Sequence, residues 1–275
     1  MRNLSIARPK TLVHAVTERL RAAIVDAELG LGEQLSEEGL AAALGVSRTP
    51  VREALSLLQL QGLIDIAPQR GSYVFRPTED DIARLCEFRI SQELAVAPLA
   101  AERAHAATLA ALKHDLALME KAFAGNQGLA YVKSDDHLHS QFFAHCGNRY
   151  FMDAYALISS RIAALRNNLS TNHPVDQELS LSEHRKIAEY FAAKDIVSLQ
   201  ALLVIHIGRT RENFIDAHQR GLFSTHSPTR ENYSFSPILM PDVQGEHTAE
   251  AQARFERPLG RPSAKPRRVA KSRPR

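Results

Sequence analysis

The chain has little cysteine: two residues in 275, Cys86 and Cys146. That is too few for a disulfide framework, which excludes the small stapled scaffolds of secreted proteins and fits a reducing compartment. Each cysteine reads as an inert core thiol. Long apolar runs are also missing. No stretch approaches the roughly 20 residues that cross a bilayer as a helix, and the opening residues lack the pattern of a signal peptide. The expected setting is the cytoplasm, with no membrane partner. From residue 79 to about 220 there is no strand-like alternation, and nothing repeats at a fixed period. Sheet-built and solenoid architectures are thereby excluded for that stretch.

A strong charge of one sign is missing too, but only on average. The net charge is +3, yet residues 254–275 hold nine Lys or Arg and one Glu, or +8, which leaves −5 on the other 253 residues. A mildly acidic body carries a basic tail, so any nucleic-acid contact by the body must come from locally placed arginines. What is present is apolar substance, 44% of the chain, enough for cores in two domains.

The chain is organised around residues 35–76, and above all Leu35 to Leu55. Two short helices with a tight turn are predicted there. Ser36 can cap the first by accepting an unpaired backbone N–H, and Leu40, Ala43 and Leu44 give it an apolar face. Gly45 stands where a left-handed C-terminal residue is wanted. Ser47 is placed to cap the second helix, with Pro50 in its first turn, where a missing N–H is tolerated. Val51, Ala54, Leu55 and Leu58 form an apolar stripe at helical spacing; Arg48, Thr49, Arg52 and Ser56 fall on the other face. Gly62 ends that helix. Ile64-Asp65-Ile66 and Ser72-Tyr73-Val74-Phe75 read as strands joined by the basic turn Pro68-Gln69-Arg70-Gly71. Ahead of them, Leu12, Val13, Val16, Leu20, Ala23 and Ile24 mark a first helix. Three helices and a hairpin make a winged helix-turn-helix. An Arg-Thr-Arg face suits the DNA major groove, where arginine pairs with guanine O6 and N7.

Residues 12–75 resemble the N-terminal domain of the GntR family of bacterial transcription regulators. The string Gly45-Val46-Ser47-Arg48-Thr49-Pro50-Val51-Arg52-Glu53-Ala54-Leu55 is close to that family's signature, and Gly62-Leu63 and Arg70-Gly71-Ser72-Tyr73-Val74 follow at its spacing. The resemblance implies that Ser47, Arg48, Thr49 and Arg52 meet bases and phosphates of double-stranded DNA, with Arg70 and Gly71 on a wing that enters the minor groove. There is a departure: Glu38 stands where many members carry arginine, and Gly39 where they carry Glu.

Beyond the linker Arg76-Pro77-Thr78, helices are predicted over 79–104, 107–124, 129–146, 150–170, 178–193 and 195–219, with Thr78 and Asp81 in a capping-box arrangement. Six antiparallel helices with short loops make a bundle. The expected organisation is a flexible N-terminus (1–10), a winged-helix domain (11–76), an all-helical domain (77–221) and a disordered basic tail (222–275). In that tail Gly260-Arg261-Pro262 resembles the core of an AT-hook; a solvated tail with non-specific DNA affinity is the other reading.

Asp135 and His139 share a helix face, and His184 and His206 lie on later helices. A carboxylate and three imidazoles directed inward suit a divalent metal, though His137 and His145 compete on the same helix. Residues 79–219 resemble the ligand-binding FCD domain of the FadR-type branch of GntR regulators, through Arg89 with Glu93, Ala100-Ala101, Asp135…His139…Gly147-Asn148, Glu183-His184 and His206. The usual aromatic residue before the second ligand is Leu138 here. The resemblance implies Zn, Ni or Mn on Asp135, His139, His184 and His206, and a small organic acid above it held by an arginine, Arg89 first and Arg166 second. It further implies a homodimer on a pseudo-palindromic operator, acting as a repressor relieved by the acid. Two rival readings are a metal-dependent hydrolase and an architectural DNA-binding protein that uses the basic tail.

Overall fold

The computed structural model describes residues 11–172 and 177–223. The N-terminal residues 1–10, the turn residues 173 and 174, and all but the first two residues of the 222–275 tail lie outside the described residues, so the expectations placed on them are not taken further.

The first domain runs α1 (Leu12–Val25), β1 (Gln34–Leu35), α2 (Glu37–Leu44), α3 (Arg48–Leu60), β2 (Ile64–Ala67) and β3 (Gly71–Val74). Ser36 caps α2 by accepting from the Gly39 N–H, and Gly45 closes it at φ 64°. Ser47 is the N-cap of α3, but its side chain makes no capping bond. The reason is Pro50, which occupies the third helical position and has no N–H to give. Leu40 and Ala41 are buried whereas Ala43 is exposed, so the apolar face of α2 is turned from the expected Leu40–Ala43–Leu44 line. Leu12, at the first position of α1, is also exposed. The sheet has three strands in the order β1-β3-β2, all antiparallel, with Ile64 opposite Val74 and Gln34 opposite Tyr73. Strand β1 is an addition to the expected hairpin; two residues are too short to show a period.

The second domain is α4 (Glu79–Arg103), α5 (His105–Ala124), α6 (Gly128–His145), α7 (Arg149–Asn172), α8 (Gln177–Ala193) and α9 (Ile196–Gln219). These are the six predicted helices, with ends within two residues. Thr78 and Asp81 form the capping box on α4, each side chain bonded to the other's backbone N–H.

Two apolar clusters are formed among the described residues. One, centred on Val96, Leu112, Met119, Phe142, Phe191 and Leu203, lies within the bundle. The other crosses the domain boundary. It joins Leu20, Ile24, Leu55 and Leu58 of the winged helix to Ile82, Ala164, Leu165 and Phe214 of the bundle. Polar bonds reinforce the junction: Asn167 Nδ2 donates to the Val25 carbonyl at 2.5 Å, and Arg161 Nε to the Gln61 carbonyl at 3.1 Å.

Candidate functional site

Asp135 and His139 face inward from α6, His184 from α8 and His206 from α9, all four buried. One ligand atom from each lies within 4.8 Å of the others. His139 Nε2 is 3.3 Å from both His206 Nε2 and His184 Nε2, and His184 Nε2 is 2.9 Å from Asp135 Oδ1.

The opposite ring nitrogens explain this convergence. His139 Nδ1 donates to Glu93 Oε2 at 2.7 Å, His206 Nδ1 to Glu183 Oε2 at 2.6 Å, and His184 Nδ1 to the Ser180 carbonyl at 2.7 Å. Each acceptor holds its imidazole as the Nδ1–H tautomer, leaving a bare lone pair on Nε2. Burial pushes His139 down to about 4 and, with His184 beside it, His206 down to about 3, so both are neutral at pH 7. Burial alone would raise Glu93; Arg89 and His139 outweigh it and hold the carboxyl at about 2. Glu183 is likewise held at about 2, against burial, by His206 and Arg209. Three Nε2 atoms and a carboxylate oxygen therefore meet at one point. One oxygen with three nitrogens suits a divalent transition ion. The residues fit the group.

A cleft opens beside these ligands, lined by Tyr131, Asp135, Arg166, His206, Arg209 and Asn213 among others. Arg166 pairs with both Asp135 and Asp136. Burial raises Asp136 to about 6 in spite of that cation. Arg209 pairs with Glu183. Arg89 is not in the cleft wall. It lies behind the ligands, with Nε donating to Glu93 Oε1 at 2.6 Å; its Nη1 and Nη2 have no hydrogen-bond partner among the described residues. The structure thus puts Arg166 in the cleft and Arg89 in the support behind His139. Arg209 was not singled out from sequence; its signal, an arginine three residues after His206, is one that any surface helix can show. The competitors are elsewhere: His137 Nδ1 bonds the fully buried Asp115 at 2.9 Å, and His145 Nδ1 faces the Gln141 carbonyl.

The other notable face is on α3, where Ser47, Arg48, Thr49, Arg52 and Ser56 are exposed together while Val51, Ala54, Leu55 and Leu58 are buried. Arg70 in the turn after β2 and Gly71 at the start of β3 are both exposed, with Gly71 at φ 106°. The Arg70 carbonyl accepts from Tyr73 Oη at 2.9 Å and Gln34 Nε2 at 3.1 Å, which pins the turn.

Residues 12–74 match the family described as bacterial regulatory proteins, gntR family, and residues 84–209 match the FCD domain. The repressor NanR of Edwardsiella tarda is 30% identical over 194 residues, spanning 64% of this chain and 71% of that protein. This chain belongs to the GntR family. The Escherichia coli repressor RspR is 27% identical over 194 residues, 70% of this chain and 85% of that one. Among solved structures, a GntR regulator from Rhodococcus sp. RHA1 has a TM-score of 0.66 at 24% identity, covering 74% of this chain and 98% of that chain. E. coli McbR/YncC gives 0.67 at 19% identity, covering 76% and 99%. As a GntR chain with an FCD domain, which fits the FadR-type branch, this protein is a DNA-binding transcriptional regulator and not an enzyme. No described helix of this GntR regulator is long and apolar enough to cross a membrane.

Proposed function

We propose that the protein is a homodimeric cytoplasmic repressor whose grip on a pseudo-palindromic operator is weakened by a small organic acid bound in the cleft. The observation that carries this reading is the meeting of three Nε2 atoms and one carboxylate oxygen beside a cleft walled by arginine. Asp135, His139, His184 and His206 would hold Zn, Ni or Mn. A bound divalent ion supplies open coordination positions for a carboxylate. Arg166 and Arg209 are placed to take the acid's other oxygens, since guanidinium binds such groups with two parallel bonds. Arg89 acts from behind, fixing Glu93 and through it the tautomer of His139.

Helix α7 connects this cleft to the DNA-reading face. It carries Arg166 in the cleft wall and, five residues earlier, Arg161 bonded to the carbonyl at the end of α3. An acid that draws Arg166 from Asp135 and Asp136 biases the position of α7, and with it the spacing of two α3 helices on their half-sites. Tyr150 and Leu157, 75% and 60% exposed on α7, offer apolar surface to a second copy.

Elemental analysis of wild type, His206→Ala and His114→Ala tests the metal. Wild type and His114→Ala should carry about one ion per chain and His206→Ala none; metal retained in His206→Ala overturns the ligand assignment. His114 is exposed and a cleaner control than His137, whose loss would remove one of the partners of the buried Asp115. Thermal-shift screening of metal-loaded protein against small carboxylic acids tests the effector, because a ligand that binds only the folded form raises the melting temperature. No shift across the series overturns that part.

A further inference from the structure

The two arginines of the α3 face are not free. Glu37, the first residue of α2, reaches across the turn to both. Its Oε2 takes Arg52 Nη2 at 2.8 Å and Arg52 Nε at 3.2 Å, its Oε1 lies 3.3 Å from the same Nε, and Oε2 also takes Arg48 Nη2 at 3.4 Å. The arginine side chains are 64% and 59% exposed and the Glu37 side chain 26%, so the carboxylate is the buttress and the guanidinium groups the projecting parts.

A guanidinium has two edges that can make paired hydrogen bonds. Glu37 occupies the Nε–Nη2 edge of Arg52. What remains for an incoming duplex is the Nη1 end, with the second proton of Nη2. That is the edge that meets guanine O6 and N7 head-on. The carboxylate also brings the local charge of the trio to +1 instead of +2, which weakens attraction to phosphates of any sequence.

We propose that Glu37 is the positioning residue that sets the base preference of this face, by fixing the reading edge of Arg52 while suppressing phosphate binding that ignores sequence. The proposal rests on the assignment of α3 as the DNA-reading helix. Glu37 also stands in the first turn of α2, where any carboxylate favours the helix dipole. Glu38 shares that turn and that charge, is exposed, and has no ion pair among the described residues. It is the natural control: Glu38→Gln changes the charge equally without releasing Arg52.

The test uses the full chain to select preferred duplexes from a randomised DNA library. The selected duplex and a scrambled one are then titrated at several salt concentrations with wild type, Glu37→Gln, Glu37→Asp, Glu38→Gln and Arg52→Ala. Glu37→Asp keeps the charge at the helix end but is one methylene too short to hold Arg52. Glu37→Gln and Glu37→Asp should lose preference at the guanine positions that Arg52→Ala also loses, with the selected-to-scrambled ratio falling roughly tenfold. Of the two Glu37 variants, only Glu37→Gln removes a charge, so it and not Glu37→Asp should tighten binding to the scrambled duplex, with a salt slope steeper by about one. Glu38→Gln should keep the wild-type base preference. An unchanged preference in both Glu37 variants, beside an altered one in Arg52→Ala, overturns the role of Glu37. An equal loss on both duplexes also overturns it, since that marks a damaged domain. If Arg52→Ala leaves the preference intact, the reading assignment of α3 itself fails, and the proposal with it.

Discussion

Glu93 joins the fold to the proposed metal centre, and Glu93→Gln separates the two contributions. The carboxylate is fully buried and binds two donors, Arg89 Nε at 2.6 Å and His139 Nδ1 at 2.7 Å. Glutamine keeps the shape and loses the charge, leaving the Arg89 guanidinium buried without its counter-charge. Removing one partner of a buried pair costs about 3–5 kcal/mol. Glutamine also offers one oxygen to two donors. When that oxygen serves Arg89, the His139 Nδ1–H faces an amide NH2, and the imidazole relieves the clash by moving its proton to Nε2, the nitrogen that must stay bare. Losing such an orienting partner lowers metal affinity roughly 10–100-fold, or about 1.4–2.7 kcal/mol. Urea unfolding of chelator-treated protein reads the first quantity, and competition with a coloured chelator reads the second. In Arg89→Met/Glu93→Gln the orphan charge is gone and the amide oxygen is free for His139. That double variant should recover most of the stability and much of the affinity, with a coupling of about 2 kcal/mol or more. A metal-free single variant within about 1 kcal/mol of wild type, or a double variant worse than the single, would refute the reasoning.

Three further outcomes are expected. Gly62 has φ 66° and the guanidinium of Arg161 lies where its Cβ would be; Gly62→Ala should cost about 1–2 kcal/mol for the left-handed backbone, read by thermal unfolding, and should blunt the effector response by displacing Arg161, read by operator titration with and without the acid. Arg166→Ala should abolish the thermal shift given by carboxylic acids while elemental analysis still finds the metal. Asp81 is held below the ordinary carboxylate range, first by the Thr78 side chain and then by its backbone N–H; a depressed folded pKa means its contribution is present above pH ~4 and lost as pH falls through the folded value, so the melting-temperature gap between wild type and Asp81→Asn should close in acid.

The bundle was legible because its helices are long, their apolar periods are sustained, and Gly125, Gly147 and Lys194 mark the turns between them. Strand β1 was not, because Gln34 and Leu35 become a strand only by lying beside Tyr73 and Ser72. The four candidate ligands came from family resemblance, supported by Asp135 and His139 at helical spacing. The acceptors behind the histidines did not. Ser180 is four residues before His184, but the pairing of Glu93 with His139 depends on α4 lying against α6, which no local pattern records. Arg166 lines the cleft while Arg89 lies behind the candidate ligands, because Glu93, one turn on, captures Arg89 within its own helix. Near the exposed α3 face the sequence singles out Glu38, yet the carboxylate that meets the arginines is Glu37. One residue is about 100° around a helix, enough to exchange a contact for solvent.

The apolar cluster that crosses from α1 and α3 into α7 and α9 changes what the segment Arg76-Pro77-Thr78 means. It is not a tether between two bodies that tumble separately, because the oil of one body is shared with the other. The two modules should melt together in a calorimeter as one transition, and a fragment ending at residue 77 should be sticky and poorly folded, with Leu20, Ile24 and Leu58 uncovered. If an acid binds in the cleft as proposed, its message has no slack to take up on its way. It would reach α3 as a shift of packed surfaces, and exchanging the winged helix for a relative's would require exchanging the matching faces of α7 and α9 as well.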